Sequence, residues 1–195
     1  ITCMIRVDHS HVMVTFHKYT VDGAKGRKKA IVNTVCLALE IHAQLEEEIF
    51  YPAMREVDGG NEILGKSRPE HDDMRRLIGK LRSMEPDHAG YDDTFFELMR
   101  DVIHHVADEE TVLLPAAERL LKDRLSDLGA QMTRRRLQLV APHTSEIALN
   151  TARAMPAGTM LVAGGVLAGA ILLARRAGNR DRHRLAYTRP MIGRS

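Results

Sequence analysis

The sequence predicts an all-α protein: an antiparallel four-helix bundle made of two duplicated helical hairpins, with a helical extension on its C-terminal side. Three observations carry this. Apolar residues recur at helical spacing through most of residues 8–122. Ala, Leu, Glu, Lys and Arg are plentiful while aromatics are only 4%, a composition that favours helix. Finally, one stretch occurs twice. His42-Ala43-Gln44-Leu45-Glu46-Glu47-Glu48-Ile49-Phe50-Tyr51-Pro52 returns as His105-Val106-Ala107-Asp108-Glu109-Glu110-Thr111-Val112-Leu113-Leu114-Pro115, every matching position shifted by 63 residues.

The first helix is expected from about Asp8, a plausible cap, to Thr20, with His9, Val12, Phe16 and Tyr19 in one stripe. Val21 to Lys29 carries two glycines and several charges and reads as a loop. The second helix follows, from about Lys29 to Val57, with Val35, Leu39, His42, Glu46 and Ile49 on its inner face. Pro52 is expected to kink it, and Asp58-Gly59-Gly60 to stop it. The third helix is expected from Pro69, with His71, Met74, Ile78 and Leu81 inward, closing at Met84-Glu85-Pro86. The fourth runs from about Tyr91 to Lys122, with Leu98, Val102, His105, Glu109 and Val112 inward. Helices one and three also match, at a shift of 62: His9 with His71, Val12 with Met74, Phe16 with Ile78. Two such hairpins bury their stripes only against each other, which gives the pseudo-two-fold bundle.

Beyond it, Ser126 to Val140 reads as a fifth helix with Arg134-Arg135-Arg136 near its surface. Pro142 interrupts it, and Thr144 to Ala154 is a weaker helical stretch. Met155 to Ala174 holds twenty uncharged residues rich in Leu, Val, Ala and Gly, the length and neutrality of a transmembrane helix. A buried or self-associating helix and a disordered tail are the competing readings. The chain thus divides into a bundle (1–123), an added helix and linker (124–154), a hydrophobic membrane-type segment (155–174) and a basic tail (175–195).

Apolar residues at 44% and charged residues at 28% are the balance of a folded soluble protein. A net charge of +2, much of it in the tail, gives no reason to expect nucleic acid as a partner. Cys3 and Cys36 lie far apart without metal-type spacing, which points to a reducing compartment. With no secretory signal at the start, the expectation is a cytoplasmic protein, held at the inner face of the membrane if 155–174 is an anchor.

His42 and Glu46 are about 1.1 turns apart, so both side chains leave one helix face and can reach one metal ion. His105 and Glu109 repeat the arrangement, and His9 and His71 share the inward stripes of the other two helices. Burying six such groups without partners costs several kcal/mol each. A metal removes the problem. Imidazole with carboxylate suits Fe, Zn, Mn or Co, and six protein ligands are too many for one tetrahedral ion. Two histidines and one carboxylate from each half fit two ions, and two irons fit best.

Asp8-His9, His42-x-x-x-Glu46, Glu70-His71 and His105-x-x-x-Glu109 together resemble the hemerythrin or HHE cation-binding family over about residues 5–125. The resemblance implies a non-haem di-iron centre held by His9, His42, Glu46, His71, His105 and Glu109, with an oxo or hydroxo oxygen and the two glutamates bridging the irons; Zn or Mn are substitutes. Two departures stand out. Oxygen-carrying hemerythrins have a second histidine four residues after the third-helix one, where this chain has Arg75. They also use His-x-x-x-x-Asp in the last helix, where this chain has His-x-x-x-Glu. The departures point away from reversible oxygen carriage. They point towards hemerythrin-like proteins that sense iron or oxygen or handle reactive oxygen and nitrogen species.

Several residues compete with this set. His104 lies on a charged face, and His11 and His17 fall off the His9 stripe. Glu47, Glu48 and Glu110 adjoin the set as solvent-facing or supporting groups, and Glu110 is the main rival to Glu109. Tyr51 could reach the metal as a phenol, but packing near the kink is the expected role. The functional readings are a sensor or redox and iron-homeostasis protein binding O2, H2O2 or NO; a di-iron peroxidase, nitric oxide-consuming enzyme or ferroxidase; and a metal-stabilised interaction or iron-storage module. The sequence does not give the identity of a protein partner.

Overall fold

The computed structural model describes residues 1–154, and its regular structure is helical throughout. The order is α1 (Thr2–Phe16), α2 (Lys25–Leu45), a π turn (Glu46–Phe50), α3 (Tyr51–Asp58), α4 (Glu62–Arg82), α5 (Tyr91–Asp108), a second π turn (Glu109–Leu113), α6 (Leu114–Leu120), α7 (Leu125–Val140), a 3-10 turn (Ala141–His143) and α8 (Thr144–Ala154). Each π turn joins its flanking helices into one rod, so the bundle has four rods: α1, α2–α3, α4 and α5–α6. Helix α1 packs on α2, α4 on α5, and α2 on α4. Helices α7 and α8 both lie against α2. Among the described residues, no helix is long and apolar enough to cross a membrane. The membrane-type segment 155–174 and the tail 175–195 lie outside the described residues.

Three helix starts differ from expectation, each for a physical reason, and α1 also ends at Phe16 rather than near Thr20. Helix α1 starts at Thr2, so Asp8 is mid-helix rather than a cap; Ile5, fully buried one turn before His9, extends the apolar stripe towards the N-terminus. Helix α2 starts at Lys25, because Lys28 is buried and belongs to its first turn rather than to a loop. Helix α4 starts at Glu62, capped by Asn61, whose Oδ1 accepts from the Ile63 amide at 3.0 Å; Pro69 therefore sits inside the helix rather than opening it.

Proline also decides the two long rods. Pro52 and Pro115 have no amide hydrogen to complete an α turn. The chain meets this with a wider turn just before each. The Tyr51 amide donates to the Glu46 carbonyl, and the Leu114 amide to the Glu109 carbonyl, both five residues back. One extra residue rotates the following side chains by about 100°. Phe50 and Leu113 are fully buried as a result, whereas Val112, expected inward, is 44% exposed, and Ile49 is only half-buried.

The core lies in two apolar clusters. One holds Val12, Val35, Leu39, Met74, Ile78, Leu98 and Val102; the other holds Ile5, Leu45, Phe50, Met54, Leu64, Leu113 and Leu114. Along every rod, a change from one cluster to the other flanks the inward histidine: Ile5 and Val12 around His9, Leu39 and Leu45 around His42, Leu64 and Met74 around His71, Val102 and Leu113 around His105. A polar layer is thus closed above and below by hydrocarbon. Each large side chain in those clusters contributes about 1.5–3 kcal/mol by leaving water.

At the far end of the first cluster, Lys28 is buried with its Nζ 2.6 Å from Asp92 Oδ1. The ammonium also lies 5.6 Å and 5.9 Å from the ring centroids of Tyr19 and Tyr91. Lys28→Met is expected to destabilise the fold by about 1–3 kcal/mol, less than the ~3–5 of a fully buried pair because water still reaches Asp92. Urea unfolding measures it, and an unchanged midpoint would contradict this account.

Candidate metal centre

Four helix-borne imidazoles and two carboxylates meet in the polar layer. His9, His42, Glu46, His71, His105 and Glu109 are all buried, the two glutamates completely. His9, His42, Glu46 and Glu109 offer ligand atoms within 4.8 Å of one another, and so do Glu46, His71 and His105. Glu46 is common to both groups. His9 Nε2 lies 3.3 Å from Glu109 Oε2, and His42 Nε2 lies 3.2 Å from Glu46 Oε2. On the other side, His71 Nε2 lies 3.5 Å from Glu46 Oε2 and 3.1 Å from His105 Nε2.

The outer nitrogens follow a second rule. Each Nδ1 faces a carboxylate: His9 to Glu110 at 2.9 Å, His71 to Glu47 at 2.9 Å, His105 to Glu70 at 2.8 Å and His42 to Asp8 at 3.5 Å. A proton held on Nδ1 leaves the Nε2 lone pair free to face inward, the tautomer a metal needs. These partners obey the duplication. Asp8 and Glu70, which precede His9 and His71, support the histidines of the neighbouring rods. Glu47 and Glu110, which follow Glu46 and Glu109, do the reverse.

Arginine breaks the symmetry. Arg136 of α7 grips both oxygens of Asp8, with Nη1 at 2.6 Å from Oδ1. Arg75, at the place of the carriers' second histidine, pairs with Glu47. Burial alone would raise the Asp8 carboxyl, but bonds to His42 and Arg136 hold it at about 2. It therefore stays anionic behind His42.

Tyr51 brings its phenol into the polar layer, the less expected of the two roles its position offers. Its ring is fully buried, and its hydroxyl lies 2.8 Å from Glu109 Oε1, 3.1 Å from Glu46 Oε2 and 3.4 Å from His71 Nε2. The π turn swings it there. Its single proton serves one carboxylate at a time. Tyr51→Phe removes the one donor these two buried oxygens share and is expected to cost the metal-free protein ~1–3 kcal/mol in urea unfolding. An unchanged midpoint would mean the hydroxyl supports neither carboxylate. His104 is exposed, as are His11 and His17.

Protein groups alone leave this layer incompletely satisfied. His9 Nε2, His42 Nε2, Glu46 Oε1 and Glu109 Oε2 are buried with no hydrogen-bond partner. Burial and the neighbouring Glu109 carboxylate push the Glu46 carboxyl well above the usual carboxylate range. Burial and His105 push His71 down to about 4. A bound cation answers all of this: it takes the orphaned lone pairs and relieves the repulsion of two carboxylates in a dry site. The donor set therefore fits a metal.

The hemerythrin HHE cation-binding domain family matches residues 4–117. This chain belongs to that family. The HHE match takes in both His-x-x-x-Glu pairs, His9 and His71, and ends within α6. An uncharacterised hemerythrin-like protein of Schizosaccharomyces pombe is 28% identical over 111 residues, 56% of this chain and 55% of that protein. A protein of Nostoc sp. described as a DNA nickase is 25% identical over 127 residues, 65% of this chain but 36% of that protein. The chain thus spans about a third to a half of the curated relatives it matches. The crystal structure of an HHE cation-binding domain-containing protein from Mycobacterium kansasii superposes with a TM-score of 0.60 at 17% identity, covering 78% of this chain and 97% of that one. That likeness shows the shared helical fold.

Proposed function

We propose that this HHE domain holds two iron ions and uses them to bind a small oxidant or diatomic molecule (O2, H2O2 or NO), as a sensor or in redox and iron homeostasis. His9, His42, Glu46 and Glu109 would hold one ion, and Glu46, His71 and His105 the other. Bound iron supplies one-electron redox chemistry and affinity for such ligands.

The observation that carries the reading is a cavity of about 20 Å³ beside the two sets of ligands, walled by hydrocarbon from Val12, Leu39, Met74, Ile78 and Val102. That is room for about one water-sized molecule. His9, His42, His71 and His105 also line it, so an occupant touches the metal-facing groups directly. The apolar wall favours a small, weakly hydrated guest and excludes larger substrates. Tyr51 offers a proton at its hydroxyl, 2.8 Å from Glu109 Oε1. The residues themselves orient the imidazoles, keep bulk water out and store a proton.

Iron-loaded protein is expected to absorb in the near-ultraviolet and visible, with bands that change on exposure to oxygen, peroxide or nitric oxide. No change with any of the three ends this reading. Turnover of peroxide or nitric oxide well above that of free iron, and lost in His105→Ala, would move the protein into the enzyme class.

A further inference from the structure

Helices α7 and α8 lie beyond the residues matched to the HHE family and form a cavity of their own against α2. Its volume is about 180 Å³. Leu37 and Ile41 of α2, Val140 of α7 and Ile147 of α8 give it an apolar wall. Asp8, His11, Thr34, His42, Arg136 and Asn150 interrupt the hydrocarbon, and two of them carry a donor with no acceptor. Asn150 is 3% exposed, and its Nδ2 has no acceptor. Arg136 spends its two Nη atoms on Asp8, but its Nε is buried and has no acceptor either.

Two buried donors without acceptors, both on residues that line one cavity, are a cost unless something supplies oxygen atoms. We propose that this cavity is a second ligand site, for a small organic carboxylate with a compact apolar body. The two carboxylate oxygens match the two unpaired donors, and Arg136 makes one of those bonds charge-assisted. The apolar body matches the wall. The volume slightly exceeds the ~150 Å³ of an engineered cavity that holds benzene, so a single ring or a short branched chain fits.

The site also reaches the metal-facing groups. Asp8 and His42 line both this cavity and the small one in the polar layer. A ligand on Arg136 Nε pulls on the same guanidinium that fixes Asp8, and Asp8 stands 3.5 Å behind His42 Nδ1. Occupancy therefore biases the orientation of one metal-facing imidazole. This second half rests on the metal reading; the binding itself does not.

Benzoate is the probe, titrated calorimetrically into the full-length chain, first free of metal. One saturable site per chain is expected, with toluene, which lacks the carboxylate, at least ~10-fold weaker. Asn150→Leu removes a donor and Ala38→Leu fills the cavity from α2, and each is expected to weaken benzoate at least ~10-fold while thermal unfolding stays cooperative. Toluene binding as well as benzoate, or Asn150→Leu leaving benzoate affinity unchanged, overturns the site. The titration is then repeated with metal bound. A benzoate affinity that differs at least ~5-fold between the two forms supports the link, because coupling is reciprocal. Equal affinities overturn the link. Loss of metal binding with benzoate binding intact would strike the metal reading alone.

Discussion

Glu46→Gln is expected to weaken binding of both ions together, while His71→Ala weakens one. The reason is geometric. Glu46 alone belongs to both groups of converging side chains, whereas His71 belongs to the group with Glu46 and His105 only. Glutamine keeps the shape but gives one neutral oxygen where two charged ones stood. Loss of a supporting residue behind a ligand typically costs ~10–100-fold in metal affinity. Losing the shared carboxylate is expected to exceed that for both ions. The same substitution has the opposite sign without metal. There Glu46 is a fully buried carboxyl beside a second one, and burial with that neighbour already pushes its proton affinity up. A neutral amide removes the repulsion, so the metal-free variant is expected to be at least as stable as its parent. Metal content after dialysis against a competing chelator, with urea midpoints in both states, measures the pair of effects. Two ions retained at parental affinity would show that Glu46 is not shared.

The fold was legible because the constraint repeats. A histidine and a glutamate one turn apart, inward on a helix stripe and recurring 63 residues later, admit few arrangements other than facing hairpins. The six residues those stripes point inward are the six that meet in the polar layer. What stayed hidden had other causes. The π turns arise because Pro52 and Pro115 lack an amide, and a straight helical wheel drawn through them places Ile49 and Val112 inward instead of Phe50 and Leu113. The same shift carries the Tyr51 hydroxyl into the polar layer, where a straight wheel favours packing near the kink. The outer carboxylates carried a readable signal: Asp8 and Glu70 match at the shift of 62, and Glu47 and Glu110 at 63. Their partners lie on other rods, however, and spacing along one helix cannot reveal those. Arg136 and Asn150 are harder still, because nothing in a single weakly periodic stretch shows which face of α2 it will cover.

The duplication has been kept where the geometry demands it and broken elsewhere. Four histidines each need an inward lone pair, and four carboxylates in two matched pairs supply it. Only one of each pair is anchored by arginine: Asp8 by Arg136 and Glu47 by Arg75. The anchored pair supports His42 and His71, the freer pair His105 and His9. Each set of inward groups thus has one histidine backed by an arginine-anchored carboxylate and one backed by a carboxylate without that anchor, and α7, which supplies Arg136, ties the set with His42 to the C-terminal extension.

Removing the metal is expected to lower the thermal unfolding midpoint by ~10–20 °C. A ligand at 100 times its Kd stabilises by about 2.7 kcal/mol per site, and two sites double that. In a domain of this size each kcal/mol shifts the midpoint by about 2–4 °C. The loss is local in origin, since the orphaned groups that a metal would take, on His9, His42, Glu46 and Glu109, all lie in the polar layer. Hydrogen exchange is therefore expected to accelerate first in α1 around His9 and in the two π turns, where the backbone bonds are wide and the side chains lose their common partner. Lys28→Met acts in a separate set of contacts with Tyr19, Tyr91 and Asp92. Its cost is expected to add to that of metal removal within about 0.5 kcal/mol. A midpoint that ignores chelation, with exchange unchanged in the polar layer, would leave the helical bundle standing and take away the metal that the buried histidines and glutamates call for.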